Sequence, residues 1–271
     1  LPKLCTGENV GALAMSEPAA GSDLAGIKTR AIKDGDNWII NGSKTFITNG
    51  IHADLVIVCA KTDTSKGAKG ISLFLVDTSL AGFSRGNKLD KIGQHASDTA
   101  ELFFEDLIVP SNALLGEIDK GFIHLMDELP RERMGCASQA IGASLGALEL
   151  TKEYVTERKA FGTSVGAFQN TRFKMAEMKA QLELCTAYLE KCLAKFKLNE
   201  MTVEDAATLK LTCTEAQCMI ADGCLQLFGG YGYMSEYPIS RFYTDARVQT
   251  IYAGTSEIMK EVIARSILGR G

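Results

Sequence analysis

Up to about residue 116 the apolar positions come in short runs: NWIINGSKTFIT, ADLVIVCAKT, GISLFLVD and TAELFFEDLIV. They are rich in β-branched and aromatic residues and bounded by Gly, Asn, Asp and Lys, which predicts strands. Asn41-Gly42 between two such runs predicts a hairpin turn. Several strands with turn signals at short spacing predict a small antiparallel barrel or sandwich. From about residue 117 the period changes. Met175, Met178, Leu182, Cys185, Leu189, Cys192 and Phe196 recur at alternating three- and four-residue steps, a narrow stripe that packs against another helix. KLNEMT breaks that helix. Thr202 with Asp205 reads as a capping box for the next one, which runs to Phe228-Gly229-Gly230. Two long helices joined by a short loop form an antiparallel pair. The expected fold is α+β: a β domain over residues 1–116, then a helical bundle over 117–271.

The 271 residues are 46% hydrophobic and 23% charged with a formal net charge of −4, enough apolar residues for one large or two medium cores. That mild acidity gives no electrostatic reason to expect nucleic acid or an anionic membrane surface. No apolar run is long enough to span a bilayer. None of the eight cysteines forms a Cys-x-x-Cys pair and the three histidines lie far apart, so buried reduced thiols are expected and a metal site is not. The opening LPKLCTGENV reads as mid-domain sequence, with neither a secretory signal nor an Arg-rich transit segment.

Several stretches offer chemistry. SEPAAGSD, Ser16 to Asp23, combines small residues with short polar groups; alone it also reads as a surface turn. It is not a phosphate-binding glycine loop, because Lys is missing and no helix follows directly. In KTFITNG, Phe46 and Thr48 share a strand face, a ring and a hydroxyl suited to a planar heterocycle or to an ordinary cross-strand pair. In ERKAFGTSVGAFQ, Arg158, Phe161 and Gln169 suit a phosphate, an adenine-like ring and a polar edge, or a helix stop with a solvated charge. QLFGGYGYMSEYP is a Gly-rich helix exit. DELPRERMG holds Pro130, which must kink a helix or start one, and Glu128 and Glu132 four apart on one face. The segment after Glu132 is almost uncharged, so Glu132 and Arg133 stand at the mouth of a buried stretch. A desolvated carboxylate there has a raised pKa, as a general base requires. In QTIYAGTSEIMKE a flexible Ala253-Gly254 pair precedes Thr255 or Ser256 as a helix cap, and the turn holds no reactive side chain.

Taken in order, AMSEPAAGSDLAGIKT, INGSKTFITNG, DTAELFFEDLIVP, ERKAFG, QLFGGYGYMSEYPISRFYTDARV and IYAGTSEIMKEVIAR resemble the motifs of the acyl-CoA dehydrogenase family from about residue 10 onward, most closely its long-chain branch. The resemblance implies a middle β-barrel, antiparallel, followed by an antiparallel four-helix bundle. It implies non-covalent FAD and α,β-dehydrogenation of a fatty acyl-CoA to the trans-2-enoyl-CoA, a step of β-oxidation. Electrons pass to an electron-transferring flavoprotein, in a homotetramer built as a dimer of dimers, in the mitochondrial matrix or a bacterial cytoplasm. By position, Leu13, Met15, Ser16 and Ser22 with Phe46, Ile47 and Thr48 line the flavin. Arg158, Phe161 and Gln169, with Gln226, Leu227, Gly229 and Gly230, reach a neighbouring subunit's FAD, and Thr255 and Glu257 hold FAD. Ser22, Arg133, Tyr252, Ala253 and Gly254 border the acyl-CoA.

In many members of the family the catalytic glutamate occupies the position of Ala253. In long-chain and isovaleryl members it comes from the DELPRERM helix, immediately before an arginine. Glu132 before Arg133 is therefore the expected base, and the turn keeps a backbone task. The family also carries a helical domain ahead of the β domain, and the residues given begin without it. The alternatives are an isovaleryl-like branched-chain enzyme, an acyl-CoA oxidase, or a non-catalytic truncated homologue.

Overall fold

Alternation along β3 (Asn37–Thr48) buries Trp38 and Ile40, and this strand lies within an eight-stranded sheet of the computed structural model, which describes residues 1–269. The remaining strands are β1 (Gly11–Ala14), β2 (Arg30–Asp34), β4 (Leu55–Lys61), β5 (Ile71–Asp77), β6 (Phe83–Lys88), β7 (Thr99–Pro110) and β8 (Leu114–Leu115). Their order is β6-β7-β3-β2-β4-β5-β8, with β1 beside β4. Trp38, Val56, Phe74, Leu102 and Leu107 fill the core of this unit, and the rings of Trp38 and Phe74 meet edge-on at 5.3 Å.

Two expectations are corrected here. The sheet is mixed rather than antiparallel, because β1 runs parallel to β4 from Gly11↔Leu55 to Ala14↔Val58, and Arg30 on β2 pairs in parallel with Lys61. Nor does it close into a barrel: β6 and β8 end the strand order and do not pair with each other. β6 carries the polar, largely exposed sequence FSRGNK and β8 has two residues, so neither offers a long apolar edge to complete a ring. The second correction concerns Asn41-Gly42, which forms no hairpin. β3 passes through both residues with a bulge between Ile40 and Gly42, and the hairpin turn lies instead at Gly35-Asp36, between the paired residues Asp34 and Asn37. Gly42 is required for a close approach: a Cβ there would lie 2.4 Å from Thr29 Oγ1 and 2.7 Å from Thr29 Cα. Asn41 uses its amide to exchange two hydrogen bonds with Asp106 on β7.

The second unit is helical. α2 (Gly121–Glu157), α3 (Gln169–Lys197) and α4 (Val203–Phe228) share two apolar clusters. Ala137 and Ala140 meet Cys185 and Cys192 with Leu209 and Cys213; Ala147 and Leu148 meet Met178 and Leu182 with Ile220 and Cys224. As α2 and α4 ascend, α3 descends, so neighbours in sequence run antiparallel. The α3 stripe forms as its spacing predicts, with Met178, Leu182, Cys185 and Cys192 buried. Thr202 caps α4 reciprocally: Thr202 Oγ1 accepts from the Asp205 N–H, and the Asp205 carboxylate accepts from the Thr202 N–H. α2 continues through Pro130 as one helix, and α5 (Pro238–Ala246) and α6 (Ser256–Leu268) follow α4. A short helix, α1 (Pro2–Thr6), precedes β1. All eight cysteines are free, five of them buried. Contacts divide the chain into Leu1–Lys91 with His95–Asp127, and Ile92–Gln94 with Glu128 onward.

Candidate functional site

In the β unit the chemistry-bearing stretch is organised around a buried ion pair. Strict alternation along β3 would put Lys44 on the face that bears Phe46 and Thr48. Lys44 keeps the inward phase of Trp38 and Ile40, and a register shift between Lys44 and Ile47, with Phe46 at φ +59°, breaks the alternation and turns Phe46 and Thr48 outward. Its Nζ donates to Glu17 Oε1 and to the Met15 carbonyl, both at 2.9 Å, and Lys44 is 1% exposed. Glu17 also accepts from the backbone N–H groups of Lys28 (2.6 Å) and Thr29 (3.0 Å). Burial pushes the Glu17 carboxyl up, but those N–H groups and the Lys44 charge hold it below its ordinary value; burial moves Lys44 down. Ser16 is fixed in turn, its carbonyl accepting from the Thr45 N–H at 3.0 Å.

Around this anchor the sequence-predicted residues divide. Phe46 (69% exposed) and Thr48 face solvent on alternate positions, and Leu13 and Ser22 are exposed. Met15 and Ser16 are half-buried. Ile47 points into the core, so only its backbone is open to a ligand. Neither Glu17 nor Lys44 figures among the sequence candidates. A lysine inside an alternating strand and a glutamate inside a small-residue loop were the available signals, and nothing local links them across 27 positions.

In the helical unit α2 carries Glu132 and Arg133. Arg133 is buried, and its Nε donates to the Ala253 carbonyl at 3.3 Å. Glu132 keeps surface open to solvent, yet the atoms crowding its carboxyl desolvate it and raise its pKa, against the pull of the Arg133 charge. Tyr252 and Cys136 feel the Glu132 charge; burial is the main cause in both, pushing the Cys136 thiol up to about 11 and the Tyr252 phenol above its usual value. These side chains therefore gather Glu132, Arg133, Cys136 and the 252–254 turn in one place.

The turn itself is strained. Ala253 and Gly254 are both left-handed, at φ +52° and +97°. The Gly254 carbonyl accepts from Lys210 Nζ at 2.8 Å, and Lys210 on α4 is fully buried. Among the described residues the N–H groups of Ala253, Gly254 and Thr255 donate to no acceptor. Thr255 caps α6, its Oγ1 accepting from the Ile258 N–H at 3.2 Å. Lys210 escaped the sequence reading, although its place among the buried Ala206, Ala207, Cys213 and Thr214 of α4 marks a cation on an apolar stripe.

Two clefts open in this unit. One of about 340 Å³ is lined by Arg247, Thr250, Thr255, Ser256 and Glu257 with Glu215 and Cys218. Its Ser256 hydroxyl, at the start of α6, is buried without a partner among the described residues. The Glu257 pKa is lowered by its own backbone N–H and the Thr255 hydroxyl, as expected at a helix start. The other, about 510 Å³, joins Arg158, Tyr154 and Val165 to Gln226, Leu227, Gly229 and Gly230. A Cβ added at Gly229 or Gly230 would meet nothing within 4 Å, and Arg158 lies over the Tyr231 ring at 5.5 Å. Phe161, at φ +50°, is 97% exposed, and Gln169 opens α3. Orphaned donors at a helix start, an arginine beside side-chain-free backbone and exposed aromatic rings fit a large planar ligand bearing phosphates.

The family model described as "Acyl-CoA dehydrogenase, middle domain" matches residues 12–107, and "Acyl-CoA dehydrogenase, C-terminal domain" matches residues 119–268. The chain is 51% identical over 270 residues to the mitochondrial long-chain specific acyl-CoA dehydrogenase of Sus scrofa, covering 99% of this chain and 63% of that protein. It therefore spans less than two thirds of that relative's length. Among solved structures, an acyl-CoA dehydrogenase from Geobacillus kaustophilus superimposes with a TM-score of 0.97 at 48% identity, over 98% of this chain and 71% of that one. A glutaryl-CoA dehydrogenase from Mycobacterium smegmatis, in complex with FADH2, gives 0.93 at 32% identity, over 99% and 68%.

Proposed function

The chain belongs to the acyl-CoA dehydrogenase family, and from that premise we propose that its protein removes the α-proton and β-hydride of a fatty acyl-CoA, with Glu132 as the base. One observation carries the assignment. The strained turn presents backbone N–H groups and no carboxylate, while α2 brings a desolvated glutamate next to Tyr252 of that turn. The Glu132 carboxylate takes the α-proton. The Ala253 N–H donates to the thioester oxygen and stabilises enolate charge as it develops. Arg133, a cation with no proton-accepting site, instead donates its Nε–H to the Ala253 carbonyl and holds the turn. When bound, FAD supplies the acceptor for the hydride leaving Cβ.

Residues 1–116 would supply the flavin-facing positions Leu13, Met15, Ser16, Ser22, Phe46 and Thr48, with the Ile47 backbone. Residues 117–271 would supply the base, the Thr255 and Glu257 contacts, and the Arg158–Gln226–Gly230 cleft that serves a neighbouring subunit in a dimer of dimers. An electron-transferring flavoprotein is the proposed oxidant of the reduced protein. A long, straight acyl chain is the proposed substrate, in keeping with the 51% identity to a long-chain enzyme. The compartment would be the mitochondrial matrix, the Sus scrofa relative being named mitochondrial, or a bacterial cytoplasm.

Glu132→Gln in flavin-loaded protein tests the assignment. Removing a positioned base lowers a rate by about 10²–10⁴-fold. Anaerobic bleaching of the flavin by acyl-CoA should slow by that much while flavin and acyl-CoA binding persist. Bleaching at the wild-type rate refutes the base. A panel of straight and branched acyl-CoAs in the same assay separates the long-chain from the isovaleryl-like reading, and slow reoxidation in air separates a dehydrogenase from an oxidase.

A further inference from the structure

Two buried cations converge on two consecutive carbonyls. Arg133 Nε takes the Ala253 carbonyl at 3.3 Å, and Lys210 Nζ takes the Gly254 carbonyl at 2.8 Å. They come from different helices, Arg133 from α2 and Lys210 from α4, and are 5% and 0% exposed. The residues they hold are the left-handed pair, one of them an alanine, for which this conformation is unfavourable. In a trans peptide the N–H points opposite to the C=O of the same unit. Holding the Ala253 carbonyl therefore sends the Gly254 N–H the other way, and holding the Gly254 carbonyl does the same for the Thr255 N–H. Those two N–H groups, and that of Ala253, are the ones without an acceptor among the described residues. Beneath the turn, a Cβ at Gly254 would lie 2.6 Å from Met259 Cε, so the pair is packed as well as bonded.

We propose that Lys210 is a positioning residue, which with Arg133 fixes the carbonyls of residues 253 and 254, holds Ala253 in its left-handed conformation, and so keeps the Ala253 N–H aimed at a developing oxyanion. The proposal rests on the turn being the thioester-oxygen donor described above. Lys210 touches neither substrate nor flavin in this scheme; it acts through the peptide it holds. Arg133 and Lys210 repel one another, and Cys136, Glu215 and Cys218 are the other titratable groups that face Lys210. Each buried cation is stabilised in part by the carbonyl it holds.

The test is Lys210→Met in the purified, flavin-loaded protein, with two readouts that decide it and one rate that follows from them. The first is amide hydrogen exchange of the peptide spanning the turn, expected to rise by about tenfold or more as the clamp opens. The second uses a bound 3-thia-acyl-CoA, whose α-proton is acidic but whose β-sulfur has no hydride to lose. The pH titration of its long-wavelength absorbance with oxidised flavin reports enolate stabilisation, and its apparent pKa should rise by about one unit, tenfold in equilibrium. The rate of flavin reduction at saturating acyl-CoA should fall by roughly 10–100-fold, short of the ~10²–10³ of losing a donor outright, with acyl-CoA affinity nearly kept. Unchanged exchange and unchanged ligand acidity overturn the proposal. Faster exchange with unchanged acidity also overturns it, because Lys210 is then only a prop. If the methionine variant does not fold, Lys210→Gln is read in the same way. Failure of Glu132→Gln to slow reduction would remove the base without touching the clamp, since neither readout depends on turnover.

Discussion

Replacing Lys44 by methionine is the sharpest test of how the β unit holds its loop. Lys44 and Glu17 have 0% and 6% of their side-chain surface exposed and meet at 2.9 Å. Methionine keeps the length and apolar stem but leaves the Glu17 carboxylate buried with only the Lys28 and Thr29 N–H groups. Breaking a buried pair in this way costs roughly 3–5 kcal/mol, against about 0–1 for a surface pair. The two retained backbone bonds put the expected loss near the lower figure, about 3 kcal/mol, or roughly a hundredfold in the folding constant. With an m-value of about 1–3 kcal/mol/M, the urea midpoint falls by roughly 1–3 M. The assay is intrinsic fluorescence, because the chain's single tryptophan, Trp38, lies in the core of this unit and reports it alone. The pH dependence carries a sign. Glu17 has a lowered pKa when folded, so its contribution is present above the ordinary 4.5 and lost as pH falls through the folded value. Without Lys44, burial dominates and raises that pKa, so the variant's deficit narrows on acidification. Lys44→Met with Glu17→Gln should regain at least half of the loss. A single-variant loss below about 1 kcal/mol, or no gain from the second substitution, refutes the buried-pair reasoning.

Three further outcomes are expected. Gly42→Ala drives a Cβ to 2.4 Å from Thr29 Oγ1 at φ +148°, so the Trp38-reported stability should fall by about 1–3 kcal/mol; an unchanged urea midpoint would contradict the close approach. Thr202→Ala removes the cap of α4 and should cost about 1 kcal/mol in thermal unfolding. Burial opposes it, but Lys195 and Thr202 hold the Asp205 carboxyl at about 2, so its stabilisation is lost between its unfolded value of 3.8 and that pH, and the variant's acid transition, followed by circular dichroism, should move upward. Flavin reduction should rise with pH through a Glu132 pKa above the usual 4.5, since the base works ionised; stopped-flow rates that are flat across that range would count against it.

What the sequence settled by itself is what neighbouring residues decide between them. The three-four stripe of α3 and the Thr202–Asp205 box appear as read, because helix faces and caps are set within one or two turns of chain. The division into strand and helix grammar is local in the same sense. The pairing order of the strands was not legible, and Asn41-Gly42 shows why: two residues favourable for a turn continue the strand once Gly42 is pressed against Thr29 and Asn41 bonds Asp106, 65 positions away. The parallel partnership of β1 with β4 likewise joins residues 44 positions apart, from Gly11↔Leu55 to Ala14↔Val58. At the candidate site, the residue types of Glu132, Arg133 and the Ala253 turn could be read from motif order, but their neighbours could not. Glu17 needs Lys44 across 27 positions and Lys210 needs Gly254 across 44. A buried charge is tolerated only where the fold delivers its partner, and that delivery is a property of three-dimensional packing, which no local pattern encodes.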